Sequence, residues 1–238
     1  MNPLITKLEQ FTKLSDDDRR SVEDAIRDVR QFEARQDVIV EGERPDDVHL
    51  LLEGWAGRYK VLPDGGRAIM AYLIPGDVCD IHITLLNEMD HSIGTLSPAK
   101  VAFIPREKMD ELMRKGDNLG RALMWSTLVD EAILREWLVN LGHRPADKRV
   151  AHLICEMMLR SNAVGLTDDD SFDLPLTQEE LADTMGITPV HMNRTLQALR
   201  GHNLITTQGK RVYINDVTRL MEFSGFNPNY LHQEGGRA

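Results

Sequence analysis

Leu4, Leu8 and Phe11 recur at helical spacing, and Val22, Ile26 and Val29 repeat the pattern after a polar break, so residues 1–33 read as helix. Ser15 opens the second part with three acids in its first turn, where the helix dipole favours them. From Arg35 to Pro105 short apolar runs alternate with glycine and proline punctuation, which predicts strands at 38–40, 49–52, 56–62, 67–73, 92–96 and 99–104. Strands so closely spaced need a sandwich, roll or barrel to cover their faces. Helical spacing returns over 106–115 through Met109, Leu112 and Met113, and Gly116 interrupts it. A longer helix is predicted over 118–141, about 35 Å at 1.5 Å per residue. Its apolar seam runs through Leu119, Leu123, Val129, Ile133, Trp137, Leu138 and Leu141. That seam is expected to pair two copies of the chain.

Gly142-His143-Arg144-Pro145 is the candidate hinge. Residues 147–162 follow as an amphipathic helix through Val150, Leu153, Ile154, Met157 and Met158, and the acidic stretch 167–173 reads as a loop. Leu176 to Leu199 then reads as two short helices joined by a tight turn. Thr177 with Glu180 makes a capping box, Gly186 supplies the permissive turn, Thr188 caps the second helix and Pro189 takes its first position. Met192, Leu196 and Leu199 form its buried stripe. His191, Asn193, Arg194, Gln197 and Arg200 line the opposite face. Helix, glycine turn and polar-faced second helix are the pattern of a DNA-binding helix-turn-helix. Residues 204–207 and 211–214 flank Gln208-Gly209-Lys210 as a hairpin with a basic tip, a wing. A short helix over 217–223 precedes a tail from Gly225 that is expected to fray.

Charge changes the picture locally. The chain of 238 residues carries a formal net charge of −10, which by itself disfavours nucleic acid. Between 188 and 219, however, Arg194, Arg200, Lys210, Arg211 and Arg219 stand against Asp216 alone, a local net charge of +4. No apolar run approaches the 18 or so residues of a membrane span, and the N-terminus lacks the parts of a signal peptide. The two cysteines, Cys79 and Cys155, lie far apart and make neither a disulfide framework nor a ligand cluster. A soluble cytoplasmic protein with reduced thiols is expected. There is no nucleophile–base pair, P-loop or dinucleotide fingerprint, so no enzyme is expected. A cupin-like metal enzyme would need a histidine cluster that the sequence does not spell out.

The order of these parts resembles the Crp/Fnr family of bacterial transcription regulators over about residues 5–220. The most specific matches are Leu176-Thr177-Gln178-Glu179-Glu180-Leu181-Ala182 with Gly186, Asn193-Arg194-Thr195-Leu196, Asn203-Leu204-Ile205 and Gly209-Lys210. The roll adds Val40-Glu41-Gly42-Glu43, Leu52-Glu53-Gly54 and Pro75-Gly76-Asp77. The resemblance implies an α+β chain in three parts. Residues 1–116 would form a cyclic-nucleotide-binding-like β-roll, 117–142 a dimerisation helix and hinge, and 143–238 a winged helix-turn-helix. It also implies a homodimer on a palindromic operator, with double-stranded DNA, a second copy and RNA polymerase as partners and no membrane.

The departures narrow the effector. The positions that hold ribose and phosphate in cyclic-nucleotide binders read Asp80-Ile81 and His91-Ser92, so dependence on cyclic AMP is not expected. Residues 1–78 contain no cysteine, which excludes the iron–sulfur branch. His82, His91, Cys79 and Asp80 are ligand-type side chains, but no HxH or CxxC spacing unites them. Ordinary roll residues are therefore expected, with no metal and no cofactor; a metal-, haem- or redox-responsive regulator of the same fold is the alternative. Arg194 is the leading base-reading candidate, with His191, Asn193 and Gln197 beside it. Thr177, Gln178, Thr188, Lys210 and Arg211 are candidates for the DNA backbone.

Overall fold

The computed structural model describes residues 2–115 and 118–233. α1 (Pro3–Leu8) is capped by Asn2, and α2 (Asp16–Ala25) by a capping box between Ser15 and Asp18. Helix ends there, earlier than the apolar spacing predicts. Residues Asp28–Phe32 form β1, paired antiparallel along all five residues with β7 (Ala99–Pro105), and Val29 is exposed. The open edge of β7 supplies ladder hydrogen bonds that outweigh a weak local helical preference.

β7 pairs on its other side with β3 (Asp47–Glu53), giving a three-stranded sheet in the order β1-β7-β3. The facing sheet takes β2 (Asp37–Ile39), β6 (Ser92–Thr95), β4 (Ala56–Val61) and β5 (Arg67–Leu73) in the order β2-β6-β4-β5. Val48, Leu50, Ile93, Val101 and Phe103 close the core between them, with Leu4, Leu8 and Val22 from the leading helices. Gly76 turns at φ +95°, and a Cβ there would lie 2.6 Å from the Pro3 carbonyl oxygen. Only glycine lets α1 seat against this turn.

α3 (Arg106–Arg114) leads to α4 (Asn118–His143). The expected break at Gly116, and with it the 116/117 boundary, lies outside the described residues. The seam assigned to self-pairing is used inside the protomer instead. Leu119 and Leu123 are buried in the roll core, and Val129, Ile133 and Trp137 in a second core. The cause is the roll and the C-terminal unit, which both press on α4 and take its most apolar face. Met124, Leu128, Leu134, Leu138 and Leu141 are left exposed on it.

α5 (Ala146–Ala163) follows after two residues. Residues 167–173, expected as a loop, contain β8 (Thr167–Asp168) and β9 (Ser171–Asp173). They add to β10 (Ile205–Gln208) and β11 (Arg211–Ile214) in a sheet of order β10-β11-β9-β8. Phe172, fully buried from β9, anchors this extension, and its acids stay at the surface. Between them lie α6 (Gln178–Met185) and α7 (Pro189–Gly201), and α8 (Val217–Ser224) closes the unit. The tail does not fray over its described part. Residues 228–231 make a 3-10 turn that buries Tyr230 and Leu231, and Phe226 is buried ahead of them. The remainder, 234–238, lies outside the described residues. No helix among the described residues is long and apolar enough to cross a membrane.

Candidate nucleic-acid interface

The start of α6 is fixed by two reciprocal bonds: Glu180 N donates to Thr177 Oγ1 at 3.1 Å, and Thr177 N donates to Glu180 Oε2 at 2.7 Å. Gly186 ends it in the left-handed region at φ +60°. Thr188 Oγ1 then accepts from His191 N at 3.2 Å and starts α7, with Pro189 at its first turn. Leu181, Met185, Met192, Leu196 and Leu199 join one core with Val150, Leu153 and Ile154 of α5. Packing on α5 fixes the rotation of α7 and leaves Val190, His191, Arg194 and Gln197 in solvent. Arg194 makes no side-chain hydrogen bond or ion pair among the described residues, so its guanidinium is available to a ligand. An open groove beside it is lined by Pro145, Asp147, Thr188, His191, Arg194 and Thr195.

Other candidates are already engaged. Asn193 Nδ2 donates to Gln178 Oε1 at 2.9 Å, bridging the two helices, and is only half-exposed. Thr177 and Thr188 serve as caps while remaining exposed. Arg211 is turned away from the wing tip: it pairs with Asp168 at 2.5 Å and Asp173 at 3.5 Å and donates to Ser171 Oγ at 3.1 Å. It staples the wing to the β8–β9 hairpin, so Lys210 is the exposed cation of the tip. Arg200 reaches Thr207 Oγ1 at 3.4 Å and braces the wing from the other side.

The helix-turn-helix is held against the roll. Tyr72 of β5 bonds the Thr184 hydroxyl and donates to the Glu180 carbonyl, and Arg67 Nε meets Asp183 at 3.2 Å. Deeper in, Arg160 of α5 contacts Asp77 of the roll at 2.8 Å, donates to the Tyr72 carbonyl at 2.9 Å and pairs with Glu156 at 3.2 Å. Glu156 also accepts from Trp137 Nε1 at 3.0 Å and from the Tyr230 hydroxyl at 2.9 Å. Burial alone would raise the Asp77 carboxyl, but Lys7 at 2.7 Å and Arg160 overcome it and hold it below the ordinary carboxylate range. Sequence reasoning missed this network. The signal available was Glu156 and Arg160, a charged i,i+4 pair set among the apolar positions of α5.

The residues expected at the effector pocket do not converge. Asp80 is fully buried and accepts from His49 N at 2.7 Å and His49 Nδ1 at 2.5 Å. Ser92 Oγ accepts from Glu41 N at 3.0 Å. Ile81 packs against the roll core at the start of a 3-10 turn, Ile81–Thr84. His91 instead faces His82, with ring centroids 5.3 Å apart. Together with Asp90 these histidines form a group whose ligand atoms lie within 4.8 Å of one another. No spacing in the sequence unites them; the 3-10 turn and the approach to β6 do so. Both thiols are buried: burial pushes Cys79 well above its ordinary range and Cys155 up to about 12, so neither is a ready thiolate.

Residues 148–223 match the Crp-like helix-turn-helix domain and residues 29–115 the cyclic nucleotide-binding domain. The transcriptional activator protein FnrL of Cereibacter sphaeroides is 30% identical over 204 residues, covering 84% of this chain and 82% of that protein. The nitrogen fixation regulation protein FixK of Bradyrhizobium diazoefficiens is 27% identical over 194 residues, 79% of this chain and 78% of the relative. Among solved structures, FixK2 from Bradyrhizobium japonicum superposes with a TM-score of 0.74 at 21% identity, covering 82% of this chain and 96% of that one. A CooA mutant from Carboxydothermus hydrogenoformans superposes at 0.65 with 17% identity, covering 85% and 89% respectively. At those identities the two structures establish the fold alone.

Proposed function

The chain belongs to the Crp/Fnr family of transcription regulators and is a DNA-binding regulator of that type, and from that premise we propose that it works as a homodimer on a palindromic operator, without cyclic AMP. The observation that supports DNA contact is the free, exposed guanidinium of Arg194 on a helix whose rotation is fixed by its own core, and independence from cyclic AMP is supported by Asp80 and Ser92 being bonded to His49 and Glu41 within the roll. α7 enters the major groove, where Arg194 reads guanine and His191 and Gln197 reach neighbouring bases. Asn193 is bonded to Gln178 and acts by positioning that phosphate-contacting side chain rather than by reading a base itself. Thr177, Gln178, Thr188 and Lys210 meet phosphates, and Arg211 supports the wing from behind.

The exposed α4 residues Met124, Leu128, Leu134, Leu138 and Leu141 support the pairing of protomers. The division at 116/117 and 142/143 is retained as a functional one: roll, pairing helix, DNA unit. Contact with RNA polymerase is part of this reading, supported by the similarity to the transcriptional activator FnrL.

Selection of random duplex DNA by the purified protein, at physiological salt with no added ligand, tests the proposal. Enrichment of a palindrome with half-sites about 10 bp apart is the expected result. Asymmetric single half-sites would overturn the homodimer, and no enrichment by a folded dimer would overturn ligand-independent binding.

A further inference from the structure

His82 and His91 each bury an Nε2 atom that has no hydrogen-bond partner. Such a nitrogen has lost its solvation with nothing in return, and here two of them belong to rings 5.3 Å apart. A shared ligand that accepts lone pairs from both would relieve both. His91 Nδ1 meets Asp90 Oδ1 at 2.5 Å, which sets a carboxylate directly beside the pair of rings. Donor atoms of His82, Asp90 and His91 lie within 4.8 Å of one another. Three ligands at about 2.0–2.2 Å from a common ion stand about 3.3–3.6 Å apart, a closure that side-chain rotation of the exposed Asp90 and the two rings must supply.

The chemistry of the surroundings agrees. Burial lowers the pKa of both rings, favouring the neutral form that binds metal. The carboxylates of Asp80 and Asp90 act on both histidines, and the opposing charge of Arg58 is itself met by Asp130 at 3.1 Å. Asp90 is largely exposed, so an ion has a path from solvent.

We propose that His82, His91 and Asp90 form a site for one divalent transition ion of the class that favours imidazole, such as Zn2+, Co2+ or Fe2+. Each histidine gives a ring nitrogen and Asp90 the carboxylate. The site does not depend on how the protein reads DNA.

The test is titration of the tag-free, metal-stripped full chain with Co2+, read by its visible d–d absorbance, followed by displacement with Zn2+. One ion per chain is expected. His82→Gln and His91→Gln should each weaken binding roughly tenfold or more, and Asp90→Asn about 10–100-fold. Absence of a Co2+ band in the wild type, or wild-type affinity retained by both histidine variants, overturns the site. If a variant does not fold, imidazole 15N shifts of the wild type decide: Zn2+ must move the ring nitrogens of two histidines, and if it moves none the proposal is wrong.

Discussion

Arg160 Nη2 lies 2.8 Å from Asp77 Oδ2, and the bond joins a helix of the DNA unit to a turn of the roll with both side chains buried. The same carboxylate holds Lys7 of α1 through its other oxygen. The N-terminus, the roll and α5 therefore meet at one buried charge. A buried pair contributes little over apolar packing, but losing one partner strands the other. Asp77→Asn should destabilise the chain by about 3–5 kcal/mol in urea unfolding. The double variant Asp77→Asn, Lys7→Met removes a stranded cation while Arg160 keeps Glu156, and should recover part of that loss. Equal losses in the single and double variants would show that the stranded cation is not the source.

Arg194→Ala is expected to cost roughly 1–3 kcal/mol at one operator base position and to relax specificity there. Lys210→Ala should weaken all sequences alike and reduce the salt slope by about 1. Affinity measured on a panel of single-base operator variants at two salt concentrations separates the two effects. An Arg194→Ala protein with unchanged base preference would remove α7 from the reading role.

Leu138 and Trp137 are neighbours on α4 with opposite fates, 73% and 6% exposed. Leu138→Glu should leave thermal stability of the protomer within about 0.5 kcal/mol and shift sedimentation from dimer to monomer. Trp137→Ala should instead cost about 3–5 kcal/mol of folding stability, since it empties the core between roll and DNA unit. A dimer that survives Leu138→Glu would place the pairing surface elsewhere.

His152 is enclosed by Phe226 and Tyr230, and although Glu136 Oε1 lies 3.2 Å from its Nε2, burial, with the charge of Arg144 adding to it, lowers its pKa to about 3. The unfolded chain takes up this proton near pH 6.5, its ordinary value, and the folded chain does not until about pH 3. Below pH 6.5 the unfolded state therefore binds more protons, and stability falls as pH falls through this window. The slope is at most about 1.4 kcal/mol per pH unit. The difference in unfolding free energy between wild type and His152→Leu, followed from pH 7 to pH 5, should show it. A flat difference would mean that His152 is protonated normally in the fold.

The helix-turn-helix was legible because every signal in it is local. The Thr177–Glu180 box, the Gly186 turn, the Thr188 cap and the Met192, Leu196, Leu199 stripe lie within one short stretch, and each acts through neighbours three or four residues away. The strands of the roll were legible through their turns for the same reason. Partner choice is not local. Val29 has helical spacing but pairs with Ala102 because β7 offers an open edge. Phe172 looked like part of an acidic loop until a wing existed for β9 to extend.

Amphipathicity told that α4 has an apolar face, and could not tell whose surface covers it. Trp137 and Ile133 meet Tyr72 and α5 of their own protomer, a contact decided by how the roll and the DNA unit close on the helix. The same holds for Asp77 with Arg160, 83 residues apart, and for His82 with His91, which no metal spacing announced. Backbone conformation and helix faces follow from short-range sterics and periodicity, so the sequence alone determined the helix-turn-helix and most strands of the roll, but not β1, β8 or β9, which exist only where a partner strand meets them. Long-range pairing depends on which surfaces win the competition for burial, and only the tertiary structure decided that.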